Sequence, residues 1–142
     1  MVTFLKKGSY FVKMELASKV FGEEGAIILR DAVLHHLTRP SFRGENVPEE
    51  ELNLLAKYHV EQAVDLGLQV AAESPTYFCE MASGLGIPGM VLTKLGYDGR
   101  ITDSDLKWVN RSRVLAKSLG VNANVSPFDI YSNWNLPEGT FI

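Results

Sequence analysis

Cysteine is nearly missing from this 142-residue chain. The single thiol, Cys79, excludes an intramolecular disulfide and any metal cage built from several cysteines. Long apolar runs are missing too. The longest span about four residues, far short of the ~20 that cross a bilayer. The first residues carry Lys6, Lys7 and Lys13 without the apolar core and small-residue cleavage site of a secretory leader, which makes the cytoplasm the expected compartment. Strong net charge is also lacking: the formal value is −3, with 46% hydrophobic and 22% charged residues. Those are the values of a folded chain, not a disordered one.

Charge is unevenly spread. Residues 1–47 carry +2, residues 48–90 carry −6 and residues 91–142 carry +1. Such polarity bears on the choice of partner more than on fold.

Hydrophobic periodicity predicts helices. Ala26, Leu29, Val33 and Leu37 recur at helical spacing, widened by Ile27 and Leu34, while Gly22 and Gly25 weaken the middle enough to suggest two helices. Pro40 ends that stretch, and residues 40–47 read as a loop. Pro48 suits a first helical position, with Glu49, Glu50 and Glu51 at the positive end of the helix dipole. The helix runs to about Ser74, with Leu52, Ala56, Val60, Ala63, Gly67 and Val70 as a seam of small residues. Residues 76–97 read as one or two short helices broken by glycines. Thr102-Asp103-Ser104-Asp105 looks like a variant capping box, opening a helix that Gly120 closes. Its buried stripe is Trp108, Ser112, Leu115 and Leu119, with Val109 and Ala116 alongside. Val121 to Ile142, with Phe128, Tyr131, Trp134 and Phe141, reads as an irregular aromatic tail packed on the body. The expectation is one all-α domain over residues 1–142, a bundle of about five helices, with a short β-hairpin at residues 2–12 as an optional addition.

Three patterns overlap between Glu80 and Asp105. Gly84-Leu85-Gly86-Ile87-Pro88-Gly89 satisfies the dinucleotide-binding G-x-G-x-x-G pattern, with Asp103 or Asp105 near the acid expected some twenty residues later. That chemistry needs a strand before the glycines and a long helix after them. Thr76 to Glu80 offers a strand, but Met90 to Leu95 is too short for the helix, so the glycines read as a turn. Met81 to Leu95 resembles a helix-turn-helix, with Met81, Leu85, Ile87, Leu92 and Leu95 as packing positions. A DNA-binding regulator is therefore the alternative reading, although Lys94 alone offers charge to a phosphate there. Asp98 to Asp105 resembles the second half of an EF-hand loop, but Lys94 and Gly96 stand where two oxygen ligands belong.

Side chains able to do chemistry are few. Asp31 and His35 lie four apart, with His36 adjacent and His59 on the next helix, but no repeated Glu-x-x-His pattern supports a metal centre. Cys79 reads as a buried inert thiol, and Asp98, Asp103 and Asp105 as turn and cap residues. No catalytic residue, metal or cofactor is expected on these grounds, although an enzyme of unrecognised type stays as a third reading. The most suggestive surface is Lys107, Asn110, Arg111, Arg113 and Lys117, a basic set kept together despite like-charge repulsion within one helix. The leading expectation is a small cytoplasmic partner, inhibitor or adaptor. It would meet an acidic protein surface through those residues, with nucleic acid disfavoured and no membrane role.

Overall fold

A computed structural model describes residues 13–38, 47–128 and 135–142. The chain divides into two compact units, residues 1–63 and 64–142.

In the first unit, α1 spans Glu15–Leu37. Gly22 sits inside it with non-helical φ 77° and ψ 171°, so two helical segments meet at a kink where only glycine is free of strain. α2, Glu49–Ala72, opens on its three glutamates in this unit, and its residues 64–72 belong to the second. The N-terminus of α1 has no cap of its own. Leu16 and Ala17 instead donate their backbone N–H groups to the two carboxylate oxygens of Glu61, each at 2.9 Å. That places negative charge where the helix dipole favours it.

The second unit overturns the all-α expectation. Among the described residues, four strands form one parallel sheet in the order β3-β2-β1-β4: β1 Tyr77–Glu80, β2 Gly99–Asp103, β3 Val125–Pro127 and β4 Thr140–Phe141. α3, Ile87–Lys94, lies between β1 and β2, and α4, Leu106–Leu119, between β2 and β3. The unit is thus a mixed α/β fold of successive β-α-β crossovers, not a helical bundle. Parallel strands need a connection of roughly a dozen residues or more. α3 is only eight residues long, but the loops on either side of it complete the span over residues 81–98.

Several local expectations change with it. Residues 81–86 form a loop leaving a strand, so no first helix of a helix-turn-helix exists at Met81 to Leu95. Residues 99–103 are strand rather than the second half of a calcium loop. Thr102 and Asp103 belong to β2, and Asp105 is the N-cap, its carboxylate accepting the Lys107 N–H at 2.9 Å. The tail contributes β3 and β4 rather than irregular coil. The hairpin expected at residues 2–12 lies outside the described residues, as do Tyr131 and Trp134.

Burial explains the sheet. Phe78 and Cys79 point to opposite faces of β1 and are both buried, as a strand covered on both sides requires. Ile101 and Thr102 repeat that pattern on β2. Gly67 of α2 is also part of this packing: a Cβ there would lie 2.7 Å from the Val91 Cβ and 2.9 Å from the Pro88 oxygen. Among the described residues, no helix is long and apolar enough to cross a membrane.

Gly99 tests the strand pairing. It faces Phe78 across the ladder, and an added Cβ would fall 2.2 Å from the ring and 2.4 Å from the Phe78 carbonyl oxygen. We expect Gly99→Ala to cost about 1–3 kcal/mol in urea unfolding. A helical residue 99 would instead be stabilised by the same change.

Candidate functional site

The strand order reverses beside β1. The chain steps from β1 out to β2 and β3, then returns to place β4 on the other side of β1. In open parallel sheets, ligands bind outside the carboxyl ends of the strands at such a reversal. Here the loop Met81 to Gly86 occupies that position.

The loop is tightly held. Ala82 and Gly84 adopt positive φ of 49° and 57°, and Gly86 caps α3 at φ 74°. The Ser83 N–H donates to the Thr102 carbonyl at 3.0 Å, and Ser112 Oγ donates to the Gly84 carbonyl at 2.8 Å. Gly86 also leaves room for Ile101, whose Cγ2 would be 2.6 Å from any Cβ. A left-handed φ in an alanine is uncommon, and strain of this kind gathers at ligand sites.

Two acids organise the carboxyl edge. Asp103, the last residue of β2, is buried. Its Oδ2 accepts the Gly84 N–H at 3.0 Å and its Oδ1 accepts the Asp105 N–H at 2.9 Å. Each carboxylate oxygen retains a lone pair for a further donor. Glu80, the last residue of β1, is largely buried, and its Oε1 accepts the Gly89 N–H at 2.8 Å. Desolvation by burial pushes its carboxyl up to about 7, against which the Gly89 hydrogen bond pulls it down.

This edge supplies part of the context that the glycine motif requires: a strand before it and an acid at the end of the neighbouring strand, but a helix of only eight residues that starts inside the motif. The turn reading of Gly84 to Gly89 is therefore incomplete. Yet the edge is unlike a pyrophosphate site. The N–H groups of Gly84 and Gly89 already point at carboxylates, and like charges 4 Å apart repel by about 4 kcal/mol near a protein surface.

Two hollows flank the sheet. A cleft of about 410 Å³ begins at Glu80 and Met81 and is lined by Pro88, Gly89 and Phe141. The larger, of about 550 Å³, is bounded by Thr76, Asp98 and Asn124. Those residues precede the strands, so the larger hollow lies at the amino edge, away from the loop.

The residues singled out from sequence fall elsewhere. Lys107, Asn110, Arg113 and Lys117 are exposed on α4, whereas Arg111 folds over the Trp108 ring at 5.1 Å. Arg113 is partly engaged, its Nε donating to the Val125 carbonyl at 3.1 Å. His35 and His59 are exposed and His36 is half-buried. Among the described residues, no three His, Cys, Asp or Glu side chains gather to hold a metal. Cys79 is buried in β1. Sequence reasoning passed over Glu80 and set Asp103 aside as a turn or cap residue. The available signal was the acid nineteen residues after Gly84, the interval of the Gly84–Asp103 hydrogen bond.

The chain matches no family model, no curated protein and no solved structure.

Glu80 gives a pH prediction. Its folded-state value, about 7, lies above the ordinary 4.5, so the folded protein holds the proton more tightly than the unfolded chain. The stability this contributes is complete below pH ~4.5 and is lost as pH rises through about 7. Glu80→Gln keeps an acceptor for Gly89 without the ionisation. Relative to wild type, it should gain stability from pH 4.5 to 7, by at most ~3 kcal/mol, and level off above. Parallel denaturant curves across that range would contradict the burial of Glu80.

Proposed function

We propose that the unit of residues 64–142 binds a ribonucleoside at the carboxyl ends of β1 and β2, with Asp103 accepting the ribose hydroxyls. The observation that carries this reading is the buried Asp103 carboxylate, fastened to the glycine loop through Gly84 at the strand-order reversal. An acid at the end of the second strand is how this architecture holds a ribose.

The same carboxylates bear on the rest of the ligand. With Glu80 and Asp103 occupying the loop N–H groups, a neutral or cationic 5′ substituent fits better than a diphosphate. S-Adenosylmethionine, a sulfonium nucleoside, has that chemistry. We therefore favour a group-transfer enzyme, in which an acceptor nucleophile attacks the carbon bonded to sulfur and the C–S electron pair leaves as a neutral thioether. The protein would supply binding and orientation, and the cofactor the reactive bond.

A second reading rests on α4. Its surface carries Lys107, Asn110, Arg113 and Lys117, and between them Leu106 and Val114 are 62% and 66% exposed. Apolar side chains add nothing to phosphate contact, so an acidic protein surface suits this face better than nucleic acid. Binding to an acidic probe such as poly-glutamate should fall at least about tenfold in Lys107→Glu with Lys117→Glu. Unchanged affinity would remove this reading.

Calorimetry against S-adenosylmethionine and NAD tests the nucleoside proposal. Asp103→Asn, verified as folded, should lose at least about tenfold in affinity for S-adenosylmethionine, since hydrogen bonds to a charged acceptor contribute roughly 1.5–3 kcal/mol. Preference for NAD would favour a dinucleotide, and no binding of either would end the proposal.

A further inference from the structure

The cleft beside β1 has a composition unlike a plain gap between helices. Its volume is about 410 Å³ and its walls include Leu66, Val70, Leu92, Phe141 and Ile142. Into this apolar space Glu80 brings a carboxylate. One oxygen, Oε1, is held by Gly89, and Oε2 meets no donor among the described residues. Burial disfavours the charged form of this carboxyl, and a charged donor reaching Oε2 would restore part of what desolvation removes.

We propose that this cleft binds a small aliphatic primary amine as its ammonium ion, the alkyl chain lying along the apolar walls and one N–H donating to Glu80 Oε2. An anion would meet the carboxylate and be repelled. A neutral alkane or alcohol would fill the space but leave the charge uncompensated. A polyamine would bring more positive charge than the single carboxylate could balance. An ammonium ion on a short apolar stem satisfies both the walls and the oxygen.

The ionisation of Glu80 agrees with this assignment. Among the residues lining the cleft, Glu80 and Cys79 are the ionisable side chains, and no cation faces them. Burial alone raises the carboxyl to about 7, and an arriving cation favours the charged form again. The amine therefore enters with release of a proton where Glu80 is protonated beforehand. Glu80 also enters the nucleoside reading, but this inference does not rest on that reading, since Asp103 takes no part in it.

The test uses the full chain and n-hexylamine hydrochloride, with 1-hexanol and sodium hexanoate as matched probes, by calorimetry at pH 7.5. Hexylamine should bind saturably and at least tenfold more tightly than hexanol, and hexanoate not at all. Glu80→Gln should bring the amine down to the affinity of hexanol. Leu66→Trp, at a position 52% exposed at the cleft's mouth, should weaken both, and it keeps the question decidable if Glu80→Gln does not fold. Hexylamine and adenosine should bind independently, each with an affinity unchanged by saturation with the other, which separates this site from the nucleoside site. Equal affinity for amine and alcohol, or no binding of either at millimolar concentration, would overturn the proposal.

Discussion

The carboxylate of Asp103 joins the two crossovers of the sheet. It sits at the end of β2, holds the loop that leaves β1 through Gly84, and holds the turn into α4 through Asp105. The backbone of the same residue continues the lattice, its carbonyl accepting the Phe128 N–H at 3.1 Å beyond β3. A loop with Ala82 and Gly84 at positive φ has few backbone partners of its own. Charge-assisted hydrogen bonds from a buried acid are among the stronger ways to fix one. Without that carboxylate the edge would lose its hold on Gly84 and Asp105 and keep the hydrogen bonds from Ser83 to Thr102 and from Ser112 to Gly84.

Asp103 and Glu80 divide the work at this edge. Asp103 accepts the Gly84 N–H of the β1–α3 loop and Glu80 the Gly89 N–H in the first turn of α3, so the positive ends of those two peptides are neutralised from within. A phosphate-binding loop leaves such groups open to its ligand. Here the loop is closed by acids, and the ligand is left with carboxylate lone pairs to meet. Under the reading proposed above, that inversion would make a dinucleotide pattern in the sequence serve hydroxyl donors and positive charge instead.

How much of this was legible follows from the same residues. The long helices were readable because Leu29, Val33, Ala56 and Val60 repeat over many turns, and Gly22 and Gly120 interrupt them where glycine is needed. The sheet was not. Its strands run only two to five residues, too short for a period to establish itself. β1 and β2 are covered on both faces and so lose the alternation that marks a strand, and they end on polar Glu80 and Asp103. The glycine motif was visible, but the helix expected at Met90 to Leu95 looked too short for a crossover, because the flanking loops that lengthen it carry no periodic signal. Asp103 read as a helix cap since the true cap, Asp105, is two residues away.

The central claim is that a buried carboxylate at the end of β2 recognises a ribose. The most direct measurement is the affinity of the protein for adenosine set against 2′,3′-dideoxyadenosine, which share base and ring and differ in the hydroxyls Asp103 would accept. Adenosine binding at least about tenfold more tightly is the predicted result, as a charged acceptor left without its donors demands. Equal affinity for the two nucleosides would contradict the account.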